Sequence, residues 1–282
     1  MGRIESFTRD GLVFDLRDAG PENGTPVVLL HGFPQDSRCW DRVAPLLHEH
    51  GYRTLAPDQR GYSSRARPAG LAAYRGRELV ADVGALVEAA DAGPVHLVGH
   101  DWGAVVAWAT AARHPELLRS LSTLSVPHPA AFARAMRTTP QAFKSWYVLA
   151  FQLPRLPELA LASPWFEAAL RRTGSPSAAR DATLMRERDT ATAALAWYRA
   201  MRSAGGSSGG GSSGGGARIT VPTLHVWSDG DSAVGPWGAR ENPRYVDAPY
   251  RFEVLCGVSH WIPEEAPERL ADLLLAHFAS VG

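Results

Sequence analysis

The chain has 282 residues, 45% of them hydrophobic and 21% charged, with 29 Lys and Arg balanced by 29 Asp and Glu. That profile excludes a disordered chain, a coiled coil and a membrane-embedded protein. A formal net charge of zero and a pI near 7.2 also argue against nucleic acid or an anionic membrane as the main partner.

In chain order, the first predicted strands are residues 27–30 and 53–57, and residues 78–90 have helical spacing with Leu79, Val83, Leu86 and Val87 on one face. Residues 95–98 form a third buried strand that runs into Gly99. Residues 104–113 read as a helix stopped by His114-Pro115, followed by a strand around 118–126. Regular alternation of strand and helix predicts an α/β fold, a parallel sheet with helices on both faces. The pattern then breaks. Residues 127–201 are helical in composition without a strand signal, with candidate helices at 143–151, 165–172 and 181–201, which marks an insertion. Residues 205–216 are Gly and Ser only and are expected to be a flexible tether without chemistry. Strands resume at 223–227 and 251–255, and an amphipathic helix at 267–278 closes the chain.

Two cysteines, Cys39 and Cys256, permit one bridge at most, and two free thiols in a reducing compartment are expected. The first twenty residues hold no apolar run suited to a signal peptide, and no later stretch reaches the ~18 uncharged apolar residues of a membrane span. A cytoplasmic protein is therefore expected.

Gly99-His100-Asp101-Trp102-Gly103 lies between a buried strand and a helix, with a glycine two residues before and after its centre. This spacing suits a nucleophile elbow, whose sharp turn lifts the central side chain above the sheet. The centre is Asp101. A carboxylate attacking an ester would give an unproductive anhydride, whereas attack on saturated carbon gives an alkyl ester that water can cleave. Asp101 at this position therefore points to substitution at carbon. His31-Gly32-Phe33-Pro34 follows an earlier strand, where the backbone N–H of Phe33 could converge with that of Trp102 on one oxyanion. His260 follows the last strand, in the chain order nucleophile, acid, histidine. Between them, Asp229 and Asp231 are both candidate acids. Asp231 is preferred because its place farther along the loop lets it reach back to His260. The other histidines have no metal-ligand spacing, and no metal is expected.

The segments His31-Gly32-Phe33-Pro34, Asp58-Gln59-Arg60-Gly61-Tyr62, Gly99 to Gly103 and Ser259-His260-Trp261 resemble those of the α/β-hydrolase fold, and within it the epoxide hydrolases, over essentially the whole chain. Several are shared with haloalkane dehalogenases, so the inserted helices decide. Epoxide hydrolases carry two tyrosines there, one in a Tyr-x-x-x-Phe-Gln-x-Pro string and one in a Trp-Tyr-Arg string. This chain has Tyr147-Val148-Leu149-Ala150-Phe151-Gln152-Leu153-Pro154 and Trp197-Tyr198-Arg199, in that order.

The resemblance implies a mostly parallel central sheet flanked by helices, with an inserted helical cap. The division is core at residues 1–126, cap at 127–204, the Gly/Ser linker at 205–216 and core again at 217–282. It further implies that Asp101 opens an epoxide while Tyr147 and Tyr198 donate to the leaving oxygen. His260, oriented by Asp231, then activates water against the resulting ester, with Phe33 and Trp102 N–H groups holding the oxyanion. The product is a vicinal diol and no cofactor is needed. Leu149, Phe151, Leu153, Leu156, Leu159, Leu161, Trp165 and Phe166 are expected to roof an apolar pocket. The expected partners are a small apolar epoxide and water, with neither nucleic acid nor membrane; a homodimer is compatible with the sequence.

The alternative reading is halide displacement by the same Asp101, with Trp102 N–H and a second donor cradling the halide. Dehalogenases often have Asn where this chain has Phe33, which leaves Trp146, Trp165 or Trp197 as the second donor. A noncatalytic ligand receptor on this fold is a third reading, and the intact nucleophile, acid and histidine argue against it.

Overall fold

The computed structural model describes residues 2–203 and 218–281, so the Gly/Ser linker expected at 205–216 lies outside the described residues. The strands are β1 (Ser6–Arg9), β2 (Leu12–Ala19), β3 (Thr25–Leu30), β4 (Tyr52–Pro57), β5 (Val95–His100), β6 (Leu118–Leu124), β7 (Thr223–Ser228) and β8 (Tyr250–Leu255). They form one sheet in the order β1-β2-β4-β3-β5-β6-β7-β8. β2 runs antiparallel to both β1 and β4, and every other pairing is parallel. The antiparallel β1 and β2 are not among the predicted strands. An Asp10-Gly11 turn, with both residues at positive φ, joins them.

Three helices alternate with the first strands: α1 (Ala44–His48), α2 (Gly76–Ala89) and α3 (Trp102–Arg113). Alternating residues along the central strands serve opposite faces of the sheet. Val28 and Leu30 pack with Leu97, Leu121 and the apolar sides of α2 and α3. Val27 and Leu29 pack on the other face with Val98, Leu224 and residues of α1 and the C-terminal helix. Burial on both faces explains why these strands read as unbroken apolar runs.

Between β6 and β7 lie α4 (Pro129–Thr138), α5 (Gln141–Lys144), α6 (Trp146–Ala150), α7 (Leu156–Ala162), α8 (Pro164–Arg172), α9 (Ala178–Arg186) and α10 (Arg188–Ser203), with no strand among the described residues of this stretch. Two predicted helices are each divided. The one over 143–151 breaks at Ser145, and the one over 181–201 breaks at Glu187, whose ψ of 112° leaves the helical region. The Glu187 carboxylate there pairs with Arg67 of the core at 2.6 Å and accepts from Thr190 Oγ1. After β7 come α11 (Pro236–Glu241), then α12 (Ile262–Glu265) and α13 (Pro267–Ala279) following β8. No described helix is long and apolar enough to cross a membrane.

Candidate active site

The parallel strands all point their carboxyl ends to one edge of the sheet, where open α/β folds place their ligands. Register aligns Leu30 with Gly99, His100 with Leu124, Leu124 with Val226 and Ser228 with Leu255. The segments leaving β3, β5, β7 and β8 carry Phe33, Asp101, Asp231 and His260. Asp101 sits between β5 and α3 at φ 52° and ψ −117°, a strained conformation that turns the chain sharply. Its flanking glycines are required by close approach. A Cβ on Gly99 would lie 2.2 Å from the carbonyl oxygen of Gly103, and one on Gly103 would lie 2.2 Å from that of Leu30.

His260 is enclosed by two carboxylates. Its Nδ1–H donates to Asp231 Oδ2 at 2.7 Å, and its Nε2 faces Asp101 Oδ2 at 3.6 Å. Asp231 is buried, and its other oxygen accepts the N–H groups of Ala233 and Val234, both at 2.8 Å. Burial alone would push the imidazolium down, but Asp231 and Asp101 outweigh it and the ring is pushed up to about 10. For Asp101, burial works toward the neutral acid, but His260 outweighs it and holds the carboxyl below the ordinary carboxylate range. Asp229, the other acid considered, accepts Gly257 N–H at 2.7 Å on the exposed side of the turn.

The Phe33 N–H donates to Asp101 Oδ1 at 2.9 Å, and the Trp102 N–H also bonds the Asp101 carboxylate. Two main-chain donors thus hold this carboxylate, the Phe33 N–H on Oδ1, while Oδ2 faces His260. Each donor of this kind is typically worth ~2.7–4 kcal/mol when it meets a developing oxyanion.

Tyr147 on α6 and Tyr198 on α10 face one another, ring centroids 6.4 Å apart, beside Phe33, Phe151 and Trp102. Burial first, and Asp101 next, push both phenols well above their usual range, so both remain protonated. The two tyrosine-bearing strings also hold each other. Gln152 Nε2 of the first donates to the Tyr198 carbonyl at 3.0 Å, while Arg199 of the second donates to the carbonyls of Phe151 and Leu153 at 3.0 and 2.8 Å. Trp197 Nε1 bonds the Arg60 carbonyl at 3.0 Å, fastening α10 to the core.

Of the residues expected to roof the pocket, Phe151, Leu161 and Phe166 pack inward with Tyr62 and Phe33. Leu149, Leu153, Leu156, Leu159 and Trp165 face solvent instead, because α6, α7 and α8 carry apolar residues on both sides. The tryptophans weighed as halide donors are also elsewhere: Trp146 and Trp165 are exposed, and Trp197 N–H is committed to Arg60. His31 is structural, its Nε2 accepting the Gln59 N–H at 3.0 Å. Among the described residues no cluster of three or more His, Cys, Asp or Glu side chains could hold a metal.

Several supporting residues carry no sequence signal. His100 Nε2 lies 2.9 Å from the His260 carbonyl. Lys144 Nζ donates to the Asp231 carbonyl at 2.8 Å, and Gln141 bonds both Ala233 O and Gly235 N, so α5 braces the acid loop. Glu264 accepts from Gln35, Ser177 and Arg180 within 2.6–2.8 Å, tying α12 to the segment after Phe33 and to α9.

A profile of the α/β-hydrolase fold matches residues 25–267. The chain is 32% identical to the AB hydrolase superfamily protein YfhM of Bacillus subtilis, covering 98% of this chain and 97% of that one. It is 30% identical to Epoxide hydrolase A of Mycobacterium tuberculosis over 94% of each chain. Among solved structures, one described as novel epoxide hydrolases of the α/β-hydrolase superfamily in metagenomes from hot environments superposes with a TM-score of 0.82, 26% identity and 98% coverage of both chains.

Proposed function

Since the chain belongs to the α/β-hydrolase fold family and, within it, to the epoxide hydrolases, we propose that it converts an epoxide to a vicinal diol through an ester on Asp101. The observation that carries this reading is the arrangement of one carboxylate between two main-chain donors, a carboxylate-paired histidine and two protonated phenols. On this reading residues 127–204 act as the cap.

Asp101 Oδ1 stays with the Phe33 N–H, with the Trp102 N–H also on the carboxyl, and becomes the ester carbonyl oxygen. Oδ2 attacks a ring carbon; the carbon–oxygen bond of the ring breaks, and the departing oxygen takes a proton from Tyr147 or Tyr198. Negative charge leaves Asp101 in this step, which removes part of what held the phenols up and makes them better acids as they are needed. The same loss leaves His260 with one carboxylate neighbour instead of two, so its pKa falls from about 10 and its proton passes to the tyrosinate, which restores the phenol and leaves a neutral ring able to act as a base. His260 then deprotonates a water that attacks the ester carbonyl, and the two N–H donors hold the tetrahedral oxyanion. Collapse breaks the bond between the carbonyl carbon and the diol oxygen, which receives the proton from His260. One water oxygen remains in the Asp101 carboxyl, whose proton passes to His260 and restores the carboxylate–imidazolium pair.

The oxygen count supplies the test. A single turnover in ¹⁸O-water should yield unlabelled diol and label Asp101, and His260→Gln should gain the substrate's mass on the Asp101 peptide. Label in the diol at the first turnover, with no mass gain in the variant, means that water opens the ring directly.

A further inference from the structure

The outer surfaces of α5 to α8 are unusually apolar for a chain of average composition. Phe143, Trp146 and Leu149 on α5 and α6, Leu156 and Leu159 on α7, and Trp165 on α8 are all exposed, from 62% for Leu156 to 83% for Phe143. Single exposed apolar residues need no explanation, whereas several along one continuous stretch mark an interaction surface. The same helices also turn Tyr147, Phe151 and Phe166 inward around the nucleophile.

Charge identifies the occupant. From Gln141 to Arg172, the span of α5 to α8, the chain carries four cations and two anions, an excess of two positive charges in a protein whose total is zero. Both anions are neutralised, Glu158 by Arg199 at 2.6 Å and Glu167 by Arg171 at 2.8 Å. Arg155 and Arg172 are exposed and pair with no carboxylate among the described residues. On α8, Trp165 and Arg172 are seven residues apart, two turns along one exposed side. Tryptophan and leucine beside unpaired arginine is the composition of a surface that settles into the headgroup region of an anionic bilayer. A second copy of the chain is a poorer occupant, since a two-fold pairing would set like charges against each other.

We propose that the outer faces of α5 to α8 dock on an anionic lipid bilayer, which would set the roof of the pocket where apolar compounds concentrate. The neutral total charge, which argued against such a partner, conceals this local excess. Docking does not depend on which bond Asp101 attacks.

Co-sedimentation of the whole chain with vesicles tests the proposal. Partitioning onto vesicles of phosphatidylcholine and phosphatidylserine at roughly 2:1 should exceed that onto phosphatidylcholine alone by about tenfold or more at low salt, and added salt should weaken it. Trp146→Ser with Trp165→Ser, and separately Arg155→Gln with Arg172→Gln, should each lower that partitioning about tenfold. The arginine pair should leave turnover of a water-soluble epoxide unchanged, which shows that the variant is folded. Equal or absent sedimentation with the two vesicle types overturns the proposal. So does a light-scattering mass of two chains that Trp146→Ser with Trp165→Ser reduces to one, because the surface is then an interface between copies.

Discussion

His100 Nε2–H donates to the main-chain oxygen of His260 across 2.9 Å, so the residue before Asp101 fixes the loop that carries the imidazole. Burial pushes the His100 ring down to about 4, so at neutral pH it is an uncharged donor. His100→Leu removes that donor and should slow breakdown of the Asp101 ester by ~10–100-fold with less effect on its formation, since small misplacements of a base are costly. His100→Gln, which retains an N–H, should recover most of the loss. Stopped-flow fluorescence separates the two steps, and equal slowing of both would show that His100 does not act through His260.

Asp231 and Asp229 are two residues apart but bond to different partners, the His260 ring and the Gly257 N–H. Asp231→Asn should therefore slow ester hydrolysis by ~10²-fold or more, because the imidazole loses the charge that raises its basicity. Asp229→Asn should change turnover less than about threefold, within what a surface turn tolerates. Equal losses from the two substitutions would remove Asp231 from its role. The Asp231 variant should also show its kinetic pKa shifted downward, since one of the two charges holding His260 up is gone.

Tyr147 and Tyr198 separate ring opening from halide displacement. An alkoxide is a far more basic leaving group than a halide, and acid assistance is typically worth ~10²–10⁴-fold. Tyr147→Phe and Tyr198→Phe should each reduce alkylation of Asp101 by an epoxide, and the double variant should reduce it further. Neither wild type nor variant should release halide from 1-haloalkanes at a substantial rate. Halide release that survives the double substitution, without diol from any epoxide, would reduce both tyrosines to packing residues.

The parallel strands were legible because burial on both faces leaves apolar runs such as residues 27–30 with no competing period. The hairpin of β1 and β2 is not legible although Asp10-Gly11 marks its turn, because Asp18, buried against Arg53, stands where the alternation of Phe14 and Leu16 calls for an apolar residue. The divided helices were not legible either. Nothing local in residues 181–201 announces a break at Glu187, whose partner Arg67 is 120 residues away. The same holds around the site. Asp101 and His260 stand out through their flanking residues, whereas Lys144, Gln141 and His100 matter only through main-chain carbonyls and amides brought near by folding.

Asp181 should be a liability to stability. Burial, with Glu264 and Asp36 nearby and Arg180 only partly compensating, pushes its carboxyl up to about 6, and its Oδ2 has no hydrogen-bond partner. The folded protein then binds more protons than the unfolded chain between the two pKa values, and stability falls as pH rises from about 4 through about 6. Asp181→Asn should raise stability near pH 8 by about 1–3 kcal/mol and change it little near pH 4. Urea midpoints at the two pH values measure this, and a variant destabilised near pH 8 would show that the Arg180 pairing outweighs burial.

The sequence contains one lysine, and its ammonium is bonded to the carbonyl of Asp231 where the inserted helices rest on the acid loop. An amine-selective acylating reagent accordingly has a single side-chain target, and that target is occupied while α5 is seated. The labelling rate of Lys144 becomes a built-in clock for lifting of this part of the insertion. It can be read by mass spectrometry without introducing a probe, and a compound that fills the pocket and holds the helices down should slow it.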